Sequence, residues 1–120
     1  MILLRIVFMN KILYVPHTVY LHITLKTKKK QTLNVLNLLY ETIAPTHKEQ
    51  GCLEYKILQE GRFITLFGKW ENKMVLNMHL LFAYHIKLFE ETLPPLCKTI
   101  DTKIFEEIEP PITALSVANG

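Results

Sequence analysis

The sequence predicts one α+β domain, with strands and helices in the order β-α-β-β-α-β. The four strands form a single antiparallel sheet with the helices on one face. Three observations carry this. Residues 19–26, VYLHITLK, alternate apolar and polar side chains. Two further strand-like runs, CLEYKILQE and FITLFGKWE, flank Gly61-Arg62 in the manner of a hairpin. Apolar residues at steps of three and four lie before and after that hairpin, the period of an amphipathic helix. With 120 residues, 49% of them apolar, the chain can bury one full core and is not globally disordered.

The elements follow in chain order. Residues 1–17 are apolar but interrupted by Arg5 and Lys11. The uncharged stretch falls well short of the roughly 20 residues that cross a bilayer, and no small-residue cleavage pattern follows. These residues read as an extension ahead of the domain: either an extra edge strand or a stretch upstream of a natural start at Met9. The domain itself is expected over 18–109, and 110–120 reads as a tail.

In the first strand Val19, Leu21, Ile23 and Leu25 share one face, and Tyr20, His22 and Thr24 the other. Thr27 is placed to cap a helix whose stripe is Leu33, Leu36, Tyr40 and Ile43. Pro45 cannot donate a backbone N–H and is expected to end or kink that helix. Gly51 marks the exit, as a residue tolerant of positive φ. On the hairpin, Leu53, Tyr55 and Ile57 share a face of one strand. Ile64, Leu66, Gly68 and Trp70 share a face of the other, with Phe63, Thr65 and Phe67 opposite. Both faces carry apolar residues, so both need cover. The helices supply one layer, and a second copy of the chain is the simplest source of the other.

Asn72 is placed to cap the next helix, with Met74, Met78 and Leu81 at helical spacing. A second stripe, Phe82, His85, Phe89 and Leu93, belongs to a further helical segment that Pro94-Pro95 stops. The run TIDTKIFEEI, with Ile100, Thr102 and Ile104 alternating, is the last strand. This order is the ferredoxin-like split βαβ arrangement, a fold that hosts many functions.

Composition excludes several classes. Cys52 and Cys97 make neither a disulfide framework nor a zinc site, and read as small apolar side chains in a reducing compartment. The Lys/Arg excess lies in residues 1–50, seven against two acids, much of it in the run from Lys26 to Lys30. No aromatic platform accompanies that run, so it reads as a solvated loop rather than a nucleic-acid contact. A cytoplasmic protein with no stable membrane anchor and no bound metal is expected.

The chemistry-bearing residues cluster in one stretch. Trp70 is the only tryptophan, with His79 nine residues on and His85 six further. On one unbroken helix, at about 100° per residue, the two histidines would not share a face. They converge only if the helix breaks near 80–83. Histidine titrates near neutrality and can accept and return a proton without large tuning. The bland alternative is an indole that anchors the core and imidazoles that make structural hydrogen bonds.

Gly51, Cys52, Leu53 and Tyr55, then Trp70, then His79 and His85 together resemble the antibiotic biosynthesis monooxygenase (ABM) superfamily, in particular its small quinol-monooxygenase-like members. The likeness runs over about residues 18–109. It implies a dimeric α+β barrel, a homodimer formed through the sheet face. It also implies oxidation of a small quinol or related aromatic by molecular oxygen without metal, haem or flavin. His79 and His85 would be the catalytic residues, and Trp70, Leu66, Leu21 and Phe82 the substrate-binding ones. Leu66 stands where some members carry an asparagine, and Leu21 where haem-degrading relatives carry one, so no haem is expected. Two other readings stay open. One is a non-catalytic small-ligand-binding or stress-response module. The other is an isomerase of a small phosphorylated metabolite, with Lys29 of the lysine run serving the phosphate.

Overall fold

The structure is a computed structural model that describes residues 7–9, 12–14 and 17–108. The tail expected over 110–120 lies outside the described residues. Ahead of the domain, β1 (Val7–Met9) and β2 (Ile12–Tyr14) pair with each other as a separate two-stranded sheet. Among the described residues, the extension adds no strand to the main sheet.

The main sheet is built from β3 (Val19–Thr27), β4 (Cys52–Glu60), β5 (Phe63–Trp70) and β6 (Cys97–Glu106), all antiparallel, in the order β4-β5-β3-β6. That is the expected ferredoxin-like topology. Between β3 and β4 run α1 (Thr32–Tyr40) and α2 (Ile43–His47). Between β5 and β6 run α3 (Lys73–Leu80) and α4 (Ala83–Ile86). A π-helical turn over Lys87–Thr92 and a 3₁₀ turn over Pro94–Leu96 complete that connection. The helix-facing side of the sheet is the core: Val19, Leu21, Ile23, Leu25, Ile64, Leu66 and Trp70 are all buried. Alternation in β3 and β5 was the signal for this face, and it holds at each of these positions.

The helices bury part of the stripes their sequences suggested: Leu36, His85 and Leu93 are buried, and Ile43 and Phe89 pack against the core. In α1 the core contacts come from Val35, Leu36 and Leu39, while Leu33 and Tyr40 are exposed. In α3 Leu76 and His79 are buried, while Met74, Met78 and Leu81 are exposed. Both helices carry apolar residues all round, so a stripe can be drawn along either side. Thr27 does not cap α1. It ends β3, buried, with its hydroxyl 2.6 Å from that of Thr32. Pro45 does not stop a helix either. It lies in the first turn of α2, where a backbone N–H has no intrahelical partner to lose. The chain bends earlier, at Thr42, whose hydroxyl donates to the Leu39 carbonyl at 2.7 Å.

Two glycines do what only glycine does easily: Gly51 has φ +83° and Gly61 φ +59°. Just after Gly51 the register slips between Cys52 and Glu54, a bulge that turns Leu53 outward while Tyr55 stays in the core. Among the described residues, nothing is seen to cover the outer face of the sheet. It carries Tyr20, His22, Phe63, Phe67 and Phe105, with Lys56 lying over the Phe67 ring at 5.1 Å.

Candidate functional site

The site forms where β5 ends and the second helical segment breaks. Trp70 closes β5, and its indole folds back along the strand over Gly68. Two turns of α3 follow, started by Asn72, whose side chain accepts from the Val75 N–H at 3.0 Å. They carry His79 onto the buried face. The helix then stops. Phe82 is extended, at φ −62° and ψ 137°, and α4 restarts at Ala83 in a new direction. That break turns His85 back toward His79, as the spacing requires if the two are to meet.

Five rings pack together as a result. Ring centroids of Trp70 and His79 lie 4.8 Å apart, and those of His79 and His85 4.9 Å. Tyr55 stands edge-on to both Trp70 and His79 at 5.9 Å, and Phe89 lies 4.5 Å from His85. Trp70, His79, Leu66 and Leu21 are fully buried. Leu66 and Leu21 flank Gly68 beneath the indole, Leu21 being its cross-strand partner. Phe82 is different. It is 42% exposed, stacks on Tyr84 and, with Met78, borders a cleft of about 140 Å³ that reaches His79. A larger cleft of about 540 Å³ lies between α1–α2 and α4, with Tyr84 in its wall.

Sequence reasoning missed two residues here. Glu49 Oε1 lies 2.7 Å from His79 Nδ1, and the Tyr84 hydroxyl donates to Glu49 Oε2 at 2.6 Å. The Tyr84 oxygen is also 3.1 Å from the hydroxyl of buried Thr46. Glu49 is thirty residues from His79, so no local period could have pointed to it. Tyr84 sits five residues after His79, beyond the break, and could have been placed beside it once that break was expected.

The electrostatics favour uncharged imidazoles. Burial lowers the proton affinity of His79; the Glu49 charge and hydrogen bond oppose this without cancelling it. His85 is pushed down to about 4, by burial first and then by neighbouring His79. Burial also lifts the Tyr84 phenol well above its usual range, with the Glu49 hydrogen bond adding to it. Three ring nitrogens, Trp70 Nε1, His79 Nε2 and His85 Nδ1, are buried without a hydrogen-bond partner among the described residues. Such groups cost free energy unless something uses them.

A pH dependence follows. The unfolded chain binds a proton on each histidine near 6.5, whereas folded His85 does not until about 4. The unfolded state therefore holds more protons between those values. The stability is full above pH 6.5 and falls as pH drops toward 4, by at most about 1.4 kcal/mol per pH unit for each imidazole. Urea midpoints at pH 7.0, 5.5 and 4.5 should decline in that order, and the decline should be shallower in His85→Gln. A flat series in the unsubstituted chain would contradict the buried neutral pair.

Among the described residues, no group of three or more His, Cys, Asp or Glu side chains is arranged to hold a metal ion. No helix among them is long and apolar enough to cross a membrane.

No protein-family model matches the chain, and no curated protein matches it in sequence. Solved structures do match. A protein of Deinococcus radiodurans, provisionally named an antibiotic biosynthesis monooxygenase, aligns over 77% of this chain and 94% of its own, at 21% identity and a TM-score of 0.70. One from Nitrosomonas europaea with the same provisional name aligns over 81% and 96%, at 14% identity and a TM-score of 0.70. A Bacteroides thetaiotaomicron protein described as a possible oxidoreductase aligns over 78% and 100%, at 18% identity and a TM-score of 0.70. The chain shares the fold of these structures.

Proposed function

We propose that this chain is a cofactor-independent monooxygenase that oxidises a small quinol or related aromatic with molecular oxygen. The observation that carries the reading is the convergence of Trp70, His79 and His85, three buried rings with unpartnered nitrogens, of which His79 also lines a small cleft that the other two do not line. The chemistry needs little more. A neutral quinol reduces oxygen slowly; once it loses a proton, the quinolate passes an electron readily. One oxygen atom then ends on a ring carbon and the other leaves as water. The product is a hydroxylated quinone. The quinol itself supplies all the electrons, so no separate reductant enters the balance.

His79 is the proton acceptor and His85 orients it or the substrate. A buried, neutral imidazole is in the right state to take a proton. Phe82 forms the mouth of the cleft and His79 lines it, while Trp70, Leu66 and Leu21 lie in the core behind His79 and become the flat wall of the site only when an entering substrate displaces the packing against the indole. A cleft of about 140 Å³ is smaller than the roughly 300–1,000 Å³ of most ligand pockets, which favours a substrate of one ring. A second copy of the chain covers the outer sheet face at Phe63, Thr65 and Phe67, giving a homodimer. The setting is cytoplasmic, without nucleic acid or membrane as partner.

The test is oxygen consumption by metal-free protein supplied with a reduced single-ring quinol, with a reduced naphthoquinol alongside. The expected result is uptake above the spontaneous rate, faster for the single ring. Uptake no faster than the spontaneous rate overturns the proposal, and saturable quinol binding without turnover replaces it with the non-catalytic binding module.

A further inference from the structure

We infer that Glu49 is a positioning residue that fixes the tautomer of His79, holding the ring proton on Nδ1 and leaving Nε2 as the bare lone pair, while Tyr84 and Thr46 hold Glu49 in place. The inference rests on the proposed oxidation only where activity is the readout. A neutral imidazole has one N–H, and its location decides which nitrogen is a base. In isolation the proton can sit on either. Here His79 Nδ1 is 2.7 Å from one carboxylate oxygen, and Nε2, on the far side of the ring, is buried and unpartnered.

The direction of the network decides between the tautomers. Tyr84 donates to Oε2 of Glu49, so that oxygen is an acceptor. The Tyr84 oxygen accepts in turn from the hydroxyl of Thr46. Tyr84 has one proton, given to Glu49, so Thr46 donates to Tyr84; and Glu49 as a carboxylate has no proton to give, so His79 must meet Oε1 as a donor. The titratable groups around His79 are Glu49 ahead of β4, Cys52 and Tyr55 on β4, and Tyr84 and His85 on α4. Of these, Glu49 alone hydrogen-bonds the ring at normal length; Tyr84 stands 3.5 Å from Nδ1. An outer partner of this kind orients a working imidazole as it does for metal-bound histidines and catalytic triads.

The consequence is specific. The basic nitrogen of His79 is then Nε2, on the far side of the ring from Glu49, and a substrate entering by the cleft beside Glu49, Val75 and Phe82 must pass the edge of the ring to reach it. Replacing Glu49 with glutamine should reverse this. Tyr84 would still donate to the carboxamide oxygen, which turns the amide N–H₂ toward Nδ1 and drives the ring proton to Nε2.

The experiment uses the full chain with ¹⁵N-labelled histidine and long-range ¹H–¹⁵N correlation at pH 7.5. The expected result for His79 is a protonated Nδ1 and a bare Nε2. Glu49→Gln should invert the pattern and lower kcat for quinol-dependent oxygen uptake by about 100-fold or more with little change in KM. A protonated Nε2 in the unsubstituted protein, or an unchanged tautomer in Glu49→Gln, overturns the inference whatever the uptake. An inverted tautomer in a protein that consumes no oxygen upholds the positioning role and removes the oxidation reading instead. Tyr84→Phe removes the group that holds Glu49 Oε2, so the carboxylate can swing away from Nδ1 and a mixture of tautomers is expected; a purely Nδ1–H ring there removes Tyr84 from the support of Glu49. Should Glu49→Gln fail to fold, the unsubstituted spectrum still decides.

Discussion

His79→Ala is expected to lower quinol-dependent oxygen uptake by about 100-fold or more, the usual contribution of a positioned general base. The loss should fall on kcat, because the ring contributes proton transfer more than substrate contact. His85 cannot take over. Its own proton affinity is pushed down to about 4, so it is a weaker base at neutral pH, and no hydrogen bond holds its Nδ1. Deleting a fully buried ring also leaves a cavity next to the indole. That cavity has the shape of an imidazole, and added imidazole is expected to restore part of the rate. A urea midpoint measured on the same preparation separates loss of base from loss of fold. Full activity in His79→Ala would take His79 out of the chemistry. Lost activity that imidazole does not restore, in a protein as stable as the parent, would point to a packing role for the ring.

How much of this could be read from the sequence depends on the range of the interaction. Strand faces were legible, because a period of two leaves no second choice: Leu21, Leu66 and Trp70 fell on the core side as expected. The hairpin was legible from Gly61, and the positive φ at Gly51 from its place after a helix. The helical break between His79 and His85 was legible as a condition, since six residues on one helix cannot share a face. Helix faces were legible only in part: His85 and Leu93 fell on the buried side as expected, whereas the faces of α1 and α3 were ambiguous. Val35 and Leu39 compete with Leu33 and Tyr40 on α1, and Leu76 competes with Met74 and Met78 on α3, and the sheet decides between them. Leu53 was misplaced because a bulge shifts the period by one residue without a sequence signal of its own. Glu49 and Tyr84 were invisible for a different reason. Their roles come from contacts across long separations, and an acid in a loop reads as solvated until the fold brings it 2.7 Å from a buried imidazole.

Gly68→Ala is expected to destabilise the chain by about 1–3 kcal/mol and to disturb the site together with the fold. Gly68 and Trp70 are two apart on one face of β5, and the indole lies back over the glycine. A methyl group at Gly68 would stand 2.1 Å from Trp70 Cζ3 and 2.6 Å from Cη2, well inside van der Waals contact. The ring must therefore lift. It has nowhere free to go, since His79 is 4.8 Å away on one side and Tyr55 stands edge-on at 5.9 Å on another. The backbone at Gly68 has no positive φ, so the cost comes from overpacking and not from strained dihedrals. The same argument predicts a coupling. In a Trp70→Leu background the offending ring atoms are absent, and Gly68→Ala should then cost much less, so the two substitutions should be strongly non-additive. Urea midpoints of the four combinations measure that coupling. Trp70 is the only tryptophan, so its fluorescence reports directly on the move: emission from the buried indole should shift to longer wavelength in Gly68→Ala. Equal costs in both backgrounds, with emission unchanged, would mean that the indole does not rest on Gly68. The wall of the site would then have to be sought on another residue.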